Sequence, residues 1–137
     1  MLSGKNVLLA ITGSIAAYKS AYLIREFIKK GSQVKVIVTE SALQFVTKVT
    51  LSTLSKNPVY KDFIKNEETG QWNNHVDLGS WADLMVIAPA TANTISDLVS
   101  GKGNSFLLTT FLSCNAPVFV APAMDLDMFK NKSTQSN

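Results

Sequence analysis

Four short apolar runs, separated by stretches of helical periodicity, constrain this chain more than any other feature. Val7-Leu-Leu-Ala-Ile11 stops at Thr12-Gly13-Ser14, and Val34-Lys-Val-Ile-Val38 stops at Thr39-Glu40-Ser41. Leu84-Met-Val-Ile-Ala88 stops at Pro89, and Val118-Phe-Val-Ala121 stops at Pro122. The first run fits a strand buried on both faces, the habit of parallel sheets, Leu84–Ala88 reads as another buried strand, and the remaining two read as further strands. Between the first two, Ala17, Ala21, Ile24 and Ile28 recur on one helical face, which predicts a helix over Ile15 to Lys30. Ser14 suits its N-cap, and Lys29, Lys30 and Gly31 suit its end. A strand, a helix and a strand in so few residues make a βαβ unit, which requires parallel pairing.

The alternation then repeats. Short helices are predicted over Ser41–Val46, Leu51–Ser55, Ala92–Ser100 and Phe106–Cys114, with Gly101-Lys-Gly103 as a break. Asn57 to Asn74 reads as an irregular surface excursion. The predicted architecture is α/β, a doubly wound Rossmann- or flavodoxin-like parallel sheet, and ligands on such sheets sit at the carboxyl ends of strands. With 137 residues, the chain reads as one domain able to bury about 70% of its unfolded surface.

Charge narrows the function classes. Charged residues are 17% of the chain, against about 25% in a typical soluble domain. That is too few to coat a monomer in the usual way, and burial of part of the surface against other subunits accounts for the deficit. The net charge is +3 with the basic residues scattered, so the basic stripe of a nucleic-acid binder is missing. The single cysteine, Cys114, rules out an internal disulfide and a Cys-x-x-Cys pair, and one histidine with it cannot assemble a transition-metal site. No stretch reaches membrane-spanning length. The expected location is the cytoplasm.

Three strand ends carry candidate chemistry. At Thr12-Gly13-Ser14-Ile15, Gly13 allows close backbone approach, Thr12 and Ser14 offer hydroxyls, and a helix start offers N–H groups. The same residues also read as a tight turn with a serine cap. A P-loop would need glycine where Tyr18 stands, and a dinucleotide fingerprint would need three glycines where only Gly13 is present. Glu40 sits where a ribose-binding acid would. Ala90-Thr91-Ala92-Asn93-Thr94 combines small residues with neutral hydrogen-bonding groups at another helix start; a polar cap is the plainer reading. Met124-Asp125-Leu-Asp127-Met128 reads either as the aspartate pair of a phosphatase nucleophile, against which the intervening Pro122 counts, or as a core methionine pair around an aspartate N-cap. His75 is the one side chain whose unperturbed pKa lies near neutrality, so a general-base role falls to it. Alternation of Val76 and Leu78 with polar neighbours places it on or beside a short strand. Trp72 and Trp81 flank it and read as core or interface residues.

Five segments occur in order: Thr12-Gly-Ser-Ile-Ala-Ala-Tyr-Lys19, Thr39-Glu-Ser-Ala42, His75-Val-Asp-Leu78, Pro89-Ala-Thr-Ala-Asn-Thr94 and Pro122-Ala-Met-Asp-Leu-Asp-Met128. Together they resemble the homo-oligomeric flavin-containing cysteine decarboxylases over nearly the whole chain. The resemblance implies FMN held at subunit contacts of a trimer or dodecamer by residues matching Gly13, Ser14, Ile15, Thr39, Ser41, Ala90, Thr91, Asn93 and Thr94. It implies His75 as catalytic base, with Met124 and Asp125 on the substrate. The implied reaction converts 4'-phospho-N-pantothenoylcysteine to 4'-phosphopantetheine in coenzyme A biosynthesis: the flavin oxidises the thiol to a thioaldehyde, CO₂ leaves, and the enethiolate is reduced and protonated. A fused C-terminal phosphopantothenate–cysteine ligase domain is a further implied partner.

The chain departs from that pattern twice. Many members carry asparagine where Asp125 stands, and a charged Asp125 would repel a substrate carboxylate. Members also carry a downstream flap whose cysteine protonates the enethiolate; Cys114 does not match it, and residues 1–137 are expected to be a fragment that stops short of that flap, able to bind FMN and perform the first half of the reaction but not the reduction to the final product. Two alternatives remain open: a flavin prenyltransferase of the same fold, which would use a more glycine-rich first loop, and an inactive FMN-binding subunit.

Overall fold

A computed structural model describes residues 1–137. In chain order the elements are β1 (Asn6–Ile11), a 3-10 turn (Ile15–Lys19), α1 (Ser20–Lys29), β2 (Gln33–Val38), a second 3-10 turn (Ser41–Gln44), α2 (Lys48–Ser55), β3 (Val59–Tyr60), β4 (Ile64–Asn66), β5 (Gln71–Trp72), α3 (His75–Trp81), β6 (Leu84–Ala90), α4 (Ala92–Val99), α5 (Phe106–Ser113), β7 (Val118–Pro122), α6 (Leu126–Lys130) and α7 (Lys132–Ser136). The main sheet has the order β3-β2-β1-β6-β7, and every pair in it is parallel. The predicted α/β sheet is the one observed.

Alternation on the strands divides the core in two. Val7, Leu9, Ile11, Val34, Val36 and Val38 face Ala17, Ile24, Ala42 and Leu51 on one side of the sheet. Leu8, Ala10, Ile37, Met85, Ile87 and Ala90 face Leu78, Ala82, Phe106, Leu107 and Leu108 on the other. β1 is therefore covered on both faces, which is why its sequence lacks polar alternation. The strand order reverses between β1 and β6, so the loops leaving these two strands diverge and leave a crevice at their carboxyl ends.

Several local expectations are corrected. The predicted helix from Ile15 begins as a tighter 3-10 turn, with Ala17 N–H bonded to the Ser14 carbonyl, and becomes α-helical only at Ser20. Gly31 stops it as expected, at φ +87°, where only glycine is unstrained. Residues 57–74 are not wholly irregular. β3 extends the sheet by pairing Val36 with Val59 and Ile37 with Tyr60, and β4 pairs with β5 as a separate antiparallel hairpin. Two-residue strands carry no readable periodicity; their pairing comes from distant partners. β6 runs through Pro89 to Ala90 rather than ending at Ala88, because the position of Pro89 demands its carbonyl and not an N–H: that oxygen accepts from Thr12 N–H. Cys114 lies just past α5, in extended backbone.

His75 opens a helix rather than lying on a strand. The Asn74 side-chain oxygen accepts from the N–H groups of Val76 and Asp77, fixing the first turn, while Leu78 and Gly79 are buried against the body of the domain. No helix is long and apolar enough to cross a membrane.

Candidate functional site

The β1 end and the β6 end are tied together by one side chain. Thr12 is buried; its hydroxyl donates to the Pro89 carbonyl (2.6 Å) and accepts from Thr91 N–H (3.1 Å). Thr12 is thus a structural clamp between the two loops and not the ligand donor that the sequence pattern suggests. Ser14 caps the 3-10 turn, accepting from Ala16 N–H at 3.2 Å, and keeps its own proton free to donate. Ile15 is exposed beside it. Gly13 is pressed against the β2 end: a β-carbon added there would lie 2.4 Å from Ser41 Oγ and 2.6 Å from Ser41 Cβ.

Ser41 and Thr39 share a hydrogen bond of 3.2 Å, and Thr39 Oγ1 also accepts from Ala42 N–H. Thr91 is the N-cap of α4; it accepts from Thr94 N–H at 3.2 Å, and its hydroxyl donates to Thr94 Oγ1 at 3.1 Å. The plain capping role is therefore real, and it aligns a row of hydroxyls. Thr39, Ser41, Thr91, Asn93 and Thr94 line one cavity of about 430 Å³ at the crevice between the diverging loops. Sequence reasoning missed Gln44, Asn104 and Ser105 on its wall; the Gly101–Gly103 break was the available hint, because it frees the following residues to turn back over the strand ends. Two carboxylates stand on the wall, and each has a cation: Asp97 pairs with Lys102 at 3.1 Å, and Glu40 with Lys61. Glu40 therefore binds a lysine, not a ribose. Ala90 is fully buried in the sheet and gives its carbonyl to Ala123 N–H, so it supports the loop without lining the cavity.

His75 stands to one side. Its Nδ1 is buried with no hydrogen-bond partner. The ring meets Phe63 edge-on at 5.9 Å and Trp72 at 6.2 Å. Phe63 in turn meets Phe106 edge-on at 5.6 Å. Phe63, Phe106 and Lys61 line a second cavity of about 220 Å³, which shares Thr39, Glu40, Asn104, Ser105 and Leu107 with the first. Hydrogen bonds from Lys61 to Glu40 and then to Asp62 hold its ammonium pKa above the ordinary lysine value.

Met124 and Asp125 lie elsewhere. Asp125 is the N-cap of α6, its Oδ1 accepting from Met128 N–H at 2.9 Å. Met124 lines an apolar cavity of about 460 Å³ with Ile95, Leu98 and Phe129. Ile95 and Leu98 belong to α4, as do Thr94 and Asp97 of the hydroxyl-lined cavity, so this helix separates the two spaces. One copy of the chain brings five of the predicted cofactor residues onto a single cavity but does not bring His75 to Met124 and Asp125.

Known proteins give the arrangement its context. The coenzyme A biosynthesis bifunctional protein CoaBC of Bacillus subtilis (strain 168) is 43% identical over all 137 residues, which cover 34% of that relative. The chain thus spans about a third of the length of this relative. A solved PPC decarboxylase mutant complexed with pantothenoylaminoethenethiol superposes with a TM-score of 0.82 at 33% identity, covering 97% of this chain and 74% of that one. The FMN binding protein AtHal3 superposes with a TM-score of 0.81 at 33% identity, covering 96% of this chain and 72% of the other. The Flavoprotein family model matches residues 1–137 from end to end, and the chain belongs to that family.

Proposed function

We propose that this chain holds FMN in the hydroxyl-lined cavity and serves, in the cytoplasm, as a phosphopantothenoylcysteine decarboxylase, forming 4'-phosphopantetheine and CO₂ from 4'-phospho-N-pantothenoylcysteine. The observation that carries this reading is the convergence of Thr39, Ser41, Thr91, Asn93 and Thr94 on one cavity at the switch of strand order. The donor set fits FMN. Hydroxyls and amides match a phosphate and a polyhydroxylated chain, of the two wall carboxylates Asp97 is paired with Lys102 and Glu40 stands mostly in water, and the volume lies within the usual range for ligand sites, about 300–1,000 Å³. The names of the similar proteins, CoaBC and PPC decarboxylase, support the same substrate.

Held by Thr39, Ser41, Thr91, Asn93 and Thr94, FMN would supply two-electron oxidation of the substrate thiol, which would give the electron pair left by departing CO₂ a place to go. The chain's residues position and manage protons. Gly13 keeps the first loop against Ser41, and Thr12 holds the Pro89–Thr94 loop in register with it. His75 acts as the base. With Nδ1 buried and bare of partners, Nε2 is the nitrogen left to take the thiol proton. Met124 and Asp125 approach the substrate from a neighbouring copy, in a trimer or dodecamer. Support for that assembly comes from the exposed apolar side chains Tyr22, Phe119 and Phe129, at 67%, 62% and 50%. A phosphopantothenate–cysteine ligase domain following this one accords with the longer bifunctional relative.

The test is direct. The purified protein is expected to show flavin absorbance and to release a ligand with the mass of FMN. A colourless protein that takes up no FMN refutes the reading. With the cofactor bound, His75→Asn is expected to retain FMN and to lose CO₂ release from the substrate; undiminished release would remove His75 from the base role.

A further inference from the structure

We propose that Lys61 is the residue that recognises the phosphate end of the substrate, an assignment that rests on the decarboxylase reading. The hydroxyl-lined cavity has no cation on its wall, and Lys61 is the single cation on the second cavity that opens from it. A substrate ending in a phosphate dianion needs a positive charge near the mouth of its site, because a doubly charged group leaves water only when paired. Lys61 is prepared for that pairing. Its side chain is only 21% exposed, whereas the carboxylates that hold it, Glu40 and Asp62, are 80% and 62% exposed. Displacing either carboxylate returns it to water at little cost, since exposed ion pairs contribute little. The ammonium gains a doubly charged partner in its place.

The surroundings agree. Lys61 also borders a small adjoining cavity of about 170 Å³, which Lys48, Lys65 and Asp62 line with it. Phe63, which lines the cavity of Lys61, is the ring that meets His75 edge-on. Lys61 is thus a specificity-determining residue, and Glu40 keeps its ammonium at the mouth between turnovers.

The experiment measures calorimetric affinities of the FMN-loaded protein for 4'-phosphopantetheine and pantetheine, and separately the affinity of the apoprotein for FMN. Wild type is expected to prefer the phosphorylated ligand at least tenfold, with the preference shrinking as salt rises. Lys61→Met is expected to reduce that preference to about twofold, leave pantetheine affinity unchanged and take up FMN as wild type does. Lys61→Arg is expected to restore most of it. Equal wild-type affinities for the two ligands, or a preference that survives Lys61→Met, overturns the assignment while leaving the flavin reading intact. Loss of FMN affinity in Lys61→Met with ligand preference retained overturns it differently, by giving Lys61 to the cofactor's own phosphate. Wild type that takes up no FMN refutes the parent reading and this one together.

Discussion

Gly13→Ala is the sharpest probe of the cavity's architecture. The added β-carbon would lie 2.4 Å from Ser41 Oγ, 2.6 Å from Ser41 Cβ and 3.0 Å from the Ser41 carbonyl carbon. A rotamer change removes only the first of these; the other two belong to the start and backbone of the second 3-10 turn. The β1 loop and the β2 loop must therefore separate by several tenths of an ångström. Overpacking of this kind costs about 1–3 kcal/mol. For a domain of this size that is a fall in melting temperature of roughly 3–12 °C. If the separation is instead absorbed by opening the cavity, the same energy appears as a loss of FMN affinity of about 5- to 150-fold. The assay is thermal unfolding of the apoprotein together with FMN titration by fluorescence quenching. Ser41→Gly supplies the internal control, since it deletes both the oxygen and the β-carbon that clash. In a double-mutant cycle on apoprotein stability the pair is expected to couple favourably by about 1 kcal/mol or more. Unchanged stability and FMN affinity in Gly13→Ala, or a cycle with no coupling, would refute the close approach of the two loops as the reason for glycine.

Three further outcomes are expected. Thr12→Val preserves shape but strips Thr91 N–H of its acceptor inside the domain; chemical denaturation should show a loss of about 1–3 kcal/mol, and Thr12→Ser should recover most of it. Asp125→Asn should leave stability nearly unchanged, because asparagine caps as well as aspartate, whereas Asp125→Ala should cost about 1 kcal/mol in thermal melts; if Asp125→Asn also tightens substrate binding, the native carboxylate is not the substrate clamp. Burial raises the Tyr60 phenol above its ordinary value of 10.0. The unfolded chain therefore loses this proton first as pH rises past 10, so Tyr60 contributes stability that is present below pH 10 and is lost as pH climbs to the folded value. Tyr60→Phe should flatten the alkaline arm of a stability–pH profile, and an unaltered slope would discount the burial effect.

Much of the scaffold was legible because strands buried on both faces need apolar residues at nearly every position. Val7–Ile11, Val34–Val38 and Leu84–Ala88 could be read as strands without knowing their neighbours, and the intervening helical periods made the sheet parallel. Five of the predicted cofactor residues meet on one cavity because small and hydroxyl-bearing residues are what a chain places where strands end and helices begin. Thr12 was misassigned because its partners, Pro89 and Thr91, are brought to it only by the pairing of β1 with β6. β3 was missed for the same reason, as two residues become a strand only when β2 is beside them.

The sequence by itself determined the alternation of elements, the buried identity of the central strands and the family motifs at their ends, since these depend on residues near one another in the chain. Tertiary structure alone decided which hydroxyls line the cavity and which are consumed in holding it. It alone turned Glu40 toward Lys61 and set Met124 across α4 from the hydroxyl-lined cavity. The physical reason is that a polar side chain's role is set by the partner that reaches it first, and here those partners come from distant parts of the chain or from backbone turns that form only on folding.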